Sequence, residues 1–223
     1  MENFGGPELK KYAGIDMRGR NNLESGNIQE FTGFPEVIKN RFISAMEFTP
    51  ESIDMIENRV TCKLEDIEAK YGIKFSLVGR DYPLHITLME GLYTGEQEDQ
   101  REEIFSELQD KIKLEFQGSE VQFDYVLLDG GNLLLVAKNI PDSVLNARER
   151  LSEYYSEAGL KPLGMQNILH SSLARIIKLP DSFDYDAYKK DIIDLRHSVS
   201  SDPLEVTISN VIKDQSYRYL TGI

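Results

Sequence analysis

Pro83-Leu84-His85-Ile86-Thr87-Leu88 and Ile168-Leu169-His170-Ser171-Ser172-Leu173 are short apolar segments, each carrying a histidine and, two residues on, a hydroxyl. Both read as buried strands. A strand turns alternate side chains to one face, so His85 and Thr87 point together while Leu84, Ile86 and Leu88 face the core. His170 and Ser172 pair in the same way, backed by Leu169 and Leu173.

Working outward, the chain repeats itself around these two segments. Phe42-Ile43-Ser44-Ala45-Met46-Glu47-Phe48 with Thr49-Pro50-Glu51-Ser52-Ile53 echoes Leu133-Leu134-Leu135-Val136-Ala137-Lys138-Asn139 with Ile140-Pro141-Asp142-Ser143-Val144. Each copy is a strand followed by a helix start, with proline where a missing N–H is tolerated and acids near the positive helix end. Ile53, Ile56, Val60, Leu64 and Ile67 recur at helical spacing, as do Val144, Ala147, Leu151, Tyr154 and Ala158. Gly72 and Gly159 then suit left-handed caps. After each motif comes an acidic helical segment, about Glu98 to Ile112 and about Tyr185 to His197, and then a β-branched strand, Val121 to Val126 and Val206 to Val211. Asp129-Gly130-Gly131-Asn132 is a hairpin turn. Asp214-Gln215-Ser216-Tyr217 is its counterpart, before a last strand at Arg218 to Leu220. The histidines and the turns are both 85 positions apart.

The fold class this predicts is α+β, a bilobal, pseudo-twofold duplicated fold with antiparallel or mixed sheets around a central cleft. Residues 1–41 form an N-terminal extension or lid, polar, glycine-scattered and loosely packed. Residues 42–130 form the first lobe and 131–223 the second, in one compact unit.

Composition narrows the function. The 223 residues carry 25 Lys and Arg against 38 Asp and Glu, a net charge of −13. That balance opposes a wide polyanion-binding face and favours a small phosphate ligand or the end of a chain. With three histidines and one cysteine there is no metal-site spacing, so no metal and no cofactor are expected. Cys62 reads as a small core residue on a helix. Neither a secretory signal nor a membrane span is legible, and a cytoplasmic location is the expectation.

Two imidazoles and two hydroxyls meeting in one cleft suit phosphodiester chemistry. In-line displacement at phosphorus needs a base for the attacking oxygen and an acid for the departing one, and histidine titrates near neutrality. Hydroxyls can donate to the non-bridging oxygens. His197, at a helix end, has no assigned role. Arg80, Lys161 and Arg175 read as solvated surface charges, and Arg175, an odd number of residues from His170, turns away from the cleft on an unbulged strand.

His85-Ile86-Thr87 and His170-Ser171-Ser172, each closing a strand–helix–strand unit, resemble the twin H-x-[ST] signatures of the two-histidine (2H) phosphoesterase superfamily, which includes the LigT-like, or 2′-5′ RNA ligase-like, cyclic phosphodiesterases. The resemblance covers roughly residues 42 to 220. It implies a LigT-like bilobal fold and metal-independent hydrolase activity, with His85 and His170 as the acid/base pair and Thr87 and Ser172 holding the phosphate. Serine replaces the frequent threonine in the second motif and keeps the hydroxyl. The expected substrate is a small nucleotide, a cyclic nucleotide or cyclic oligonucleotide, or an RNA end, cut at a 2′,3′-cyclic phosphate or a 2′-5′ or 3′-5′ linkage, as in RNA processing. No membrane and no obligate protein partner are implied. The alternative is a non-catalytic nucleotide or RNA-end binding or sequestering module; a third reading has the histidines merely stabilising the strands. Which histidine is the base stays open.

Overall fold

The computed structural model describes residues 9–31, 41–77, 79–81, 84–92, 113–129, 131–137, 139–162 and 169–214. Nine strands and five α-helices are traced among them. The strands are β1 (Arg41–Phe48), β2 (Lys74–Leu77), β3 (His85–Leu92), β4 (Glu120–Phe123), β5 (Tyr125–Asp129), β6 (Asn132–Val136), β7 (Lys161–Pro162), β8 (His170–Lys178) and β9 (Leu204–Asp214). The helices are α1 (Leu9–Ser25), α2 (Pro50–Ile56), α3 (Cys62–Tyr71), α4 (Asp142–Glu157) and α5 (Tyr185–Ser201). The motif strands, both repeat helices, the helix at Tyr185 and the hairpin pairing Asp129 with Asn132 all form where the sequence predicts them. The acidic segment Glu98–Ile112, the turn after Asp214 and the strand at Arg218–Leu220 lie outside the described residues.

Local chemistry accounts for the helix ends. Thr49 caps α2, its hydroxyl accepting from the Ser52 amide at 3.3 Å, with Pro50 as the first helical residue. Asp184 caps α5 through the Ala187 amide at 3.0 Å. Gly72 closes α3 at φ 69°, a conformation that costs glycine nothing. One wide turn, the π-helical Glu57–Thr61, joins α2 to α3. Cys62 follows it and is exposed, not a core residue. It sits two positions from both Val60 and Leu64, about 200° around the helix from the buried stripe.

All strand pairings in the two sheets are antiparallel. One sheet has the order β4-β9-β1-β3-β7 and the other β2-β8-β6-β5. The orders β9-β1-β3-β7 and β5-β6-β8-β2 match strand for strand under the internal repeat. Each half therefore lends two strands to the other: β2 and β5 join the sheet of β6 and β8, and β7 and β9 join that of β1 and β3. The segment Val121–Val126 is accordingly two strands and not one. It breaks at Asp124, where the chain leaves β9 as partner and takes up β6.

One apolar core fills the space behind both sheets, with Met46, Ile86 and Leu88 from one and Leu133, Leu135 and Leu173 from the other, covered by Val60, Leu64, Leu151, Ile192 and Val199 of the helices. Burying one such side chain is worth about 1.5–3 kcal/mol. A second, smaller cluster lies on the opposite face of the β5–β6 sheet: Tyr125, Leu127 and Val136, with Leu134 and Ile15 against them.

Ile15 belongs to α1, which is a regular helix and not a loosely packed arm. Leu23 enters the main core. Asp16, only 3% exposed, takes a hydrogen bond from the Tyr125 hydroxyl at 3.2 Å and pairs with Arg196 at 3.1 Å. Arg196 also donates to the Val126 carbonyl at 2.9 Å and lies over the Tyr125 ring. At Gly19 the helix backbone runs so close to the Leu128 carbonyl that no side chain fits. Together these contacts cover the edge strand β5, whose unpaired backbone groups would otherwise be an aggregation template.

Candidate functional site

The apolar residues of β3 anchor it in the core, and this turns His85 and Thr87 to the other face. Directly across on β1, Glu47 opposes His85 and Ala45 opposes Thr87, so all four share one face. On β8 the same rule joins His170 and Ser172 with their β6 partners Val136 and Leu134. The strands β3 and β8 approach within 8 Å between Cα atoms. His85 is 8% exposed and His170 is half-buried.

His170 is held below the ordinary histidine range, to about 4, chiefly by its burial among protein atoms, then by the positive charge of Arg148, and then by His85. A ring so placed is neutral at pH 7 and carries a lone pair able to take a proton. His85 is near enough for its charge to be felt at His170.

Both motif strands carry an irregularity just past the hydroxyl. The register between β1 and β3 slips so that Thr87 opposes Ala45 while Met89 opposes Ser44, leaving Leu88 as an extra residue. On β8 the slip falls at Leu173, between Ser172 opposite Leu134 and Ala174 opposite Leu133. Each bulge reverses the parity of the residues beyond it. Arg175 consequently returns to the face of His170 and Ser172, opposite Asn132 and Ser76, and is buried with its guanidinium 5.3 Å from the centre of the Phe31 ring. The expectation that it turns outward as a solvated charge is corrected, because bulges are set by partner strands that a single strand's alternation does not show. The equivalent position after Thr87 is Glu90, on the face of His85.

Arg148 was also hidden from the sequence, where it is one charged residue among several on α4. It is 3% exposed and donates from Nη2 to the Thr87 carbonyl at 3.1 Å, on the part of β3 that β7 does not pair. A helix of the second repeat thus holds the motif strand of the first. The only advance signal was its helical phase, next to Ala147 and three residues before Leu151 on the buried stripe.

The remaining candidates fall elsewhere. Arg80 lies in an ion-pair network with Glu68 at 2.8 Å and Asp81 at 3.1 Å, and donates to the Phe75 carbonyl at 2.6 Å. Lys161 and His197 are exposed. Among the described residues there is no group of three or more His, Cys, Asp or Glu placed to hold a metal ion, and no helix long and apolar enough to cross a membrane.

No protein-family model and no curated protein matches the chain. Among solved structures it is similar to the MHV ns2 PDE domain, with 17% identity over 61% of this chain and 84% of that one, at a TM-score of 0.43. It is similar also to Usb1 of Kluyveromyces marxianus, with 13% identity over 78% and 97% and a TM-score of 0.40, and to the same protein with uridine monophosphate, with 15% identity over 80% and 99% and a TM-score of 0.39. The likeness is distant.

Proposed function

We propose that this protein is a two-histidine phosphodiesterase. Its substrate is a 2′,3′-cyclic phosphate or a 2′-5′ or 3′-5′ linkage in a short oligonucleotide, cyclic nucleotide or RNA end. The carrying observation is that strands β3 and β8, within 8 Å of each other between Cα atoms, each present a histidine and a hydroxyl from a matching motif on one face.

One imidazole takes the proton of the attacking oxygen as the new P–O bond forms. The other gives its proton to the oxygen whose bond to phosphorus breaks. Thr87 and Ser172 donate to the non-bridging oxygens, where the transition state gathers charge. A water nucleophile opens a cyclic phosphate to a monoester; a neighbouring 2′-hydroxyl cuts a linear linkage and leaves a cyclic one. Arg175, on the face of His170, adds a cation near the flanking part of the substrate, and the net charge of −13 favours small ligands over long structured RNA.

The test is incubation with mixed cyclic and linear oligonucleotides in the presence of EDTA, with products identified by mass spectrometry and His170→Ala as control. Cleavage by the native protein and its loss in the variant are expected. Binding without cleavage by the native protein across the panel would favour the sequestering module instead.

A further inference from the structure

The two halves place equivalent histidines in unlike company. The residue directly opposite His85 on the neighbouring strand is Glu47; the residue directly opposite His170 is Val136, 2% exposed. Side chains so opposed have Cβ atoms about 4.5–5.5 Å apart, within reach of a carboxylate and an imidazole. Past the hydroxyls the contrast repeats, with Glu90 on the face of His85 and Arg175 on the face of His170. Among the described residues, the charged or titratable side chains on the elements about His85 are Glu47 from β1, Glu90 from its own strand, Arg148 from α4, and His170 and Arg175 from β8, with Lys161 of β7 at the far end opposite Leu92. Of these, the one set directly against His85 is an acid.

Resting on the phosphodiesterase reading, we propose that Glu47 is a positioning residue that holds the proton on His85, making His85 the acid and His170 the base. A carboxylate beside an imidazole favours its charged form, and an apolar neighbour beside a half-buried ring favours the neutral one. The attacking oxygen then loses its proton to His170 as its bond to phosphorus forms, and His85 gives its own to the departing oxygen as that bond breaks. This assigns a polarity to the cleft: the nucleophile enters on the side of β8 and the leaving group departs on the side of β1 and β3. The neutral His170, with Arg148 nearby, is the complementary half of the arrangement.

The experiment is the NMR titration of both imidazoles in the native protein, Glu47→Gln and Glu47→Asp, paired with the pH dependence of kcat/KM on whichever oligonucleotide of the mixed panel is cleaved. Glu47→Gln should lower the His85 midpoint by about 0.5–1 pH unit and carry the alkaline limb of the rate profile with it, a loss of about 3–10-fold above that midpoint. Glu47→Asp should recover most of the shift, and His170 should not move. A His85 midpoint unchanged in Glu47→Gln overturns the proposal, as does movement of the acidic limb in place of the alkaline one. If no substrate is cleaved while His85 still shifts, the pairing of Glu47 with His85 stands and the phosphodiesterase reading, with the acid role derived from it, falls.

Discussion

Strands β3 and β8 present the same two functional groups in the same order on the same face, each followed by a bulge, yet their surroundings differ at nearly every neighbouring position. Around His85 the opposed residue is Glu47 and the post-bulge residue is Glu90; around His170 they are Val136 and Arg175. The motif is repeated, and its neighbours are not. A reaction that needs one proton acceptor and one proton donor at the same pH gains when unlike surroundings separate the two midpoints, because a larger fraction of molecules then carries the proton on the ring that must give it.

The largest test of that contrast removes the rings. His85→Ala and His170→Ala should each lower kcat/KM by about 10²–10⁴ with the fold retained, as measured by circular dichroism. The double variant should cost little more than the worse single one, since both groups serve one transition state. A double variant that loses the product of the two single factors would mean that the halves act independently.

Next in size is the tie between α1 and the last helix. Breaking the buried Asp16–Arg196 pair with Asp16→Ala should cost about 3–5 kcal/mol in denaturant unfolding, because Arg196 stays buried after losing its partner. A loss under about 1 kcal/mol would show that α1 is not needed to hold the β5 edge.

The depressed proton affinity of His170 also makes stability depend on pH. The unfolded chain binds a proton near pH 6.5, whereas folded His170 does so only near 4. The stabilising contribution is therefore complete above about pH 6.5 and is lost as the pH falls towards 4, by at most about 3 kcal/mol. The pH dependence of the unfolding free energy should flatten over that window in His170→Asn. If His85→Asn flattens it equally, the two rings are not distinguished by their surroundings.

A smaller effect is expected from Arg148→Met. Removing the cation should raise the acidic limb of the rate profile from about 4 by about one pH unit or less, alongside a fall in Tm from the loss of the bond to the Thr87 carbonyl. Smallest of all is Ser172→Thr, which makes the second motif match the first and should change kcat/KM by less than about threefold, since the hydroxyl is kept.

A strand or helix declares in sequence only what its own period carries. The motif strands, the helix start at Pro50, the cap at Gly72 and the hairpin at Asp129 depend on a few consecutive residues, and all were legible. The parity of Arg175 was not, because it depends on where β6 slips against β8. Nor was the division of Val121–Val126, both pieces of which read as one strand until the sheets choose different partners for them. Cys62 was misplaced since small thiols are so often buried, although its phase on the helix pointed outward. The helix α1 was obscured by its glycines, of which Gly19 marks a close backbone approach and not a flexible joint.

The exchange of strands between halves reaches back to synthesis. When a ribosome has delivered the first 130 residues, β1 and β3 are present but β9, which flanks β1, is still to be translated, while β5 awaits β6. Neither sheet can close on the nascent chain, so two-state assembly awaits the C-terminal residues. Fragments divided at the repeat boundary should regain structure only when mixed, as each supplies what the other is missing.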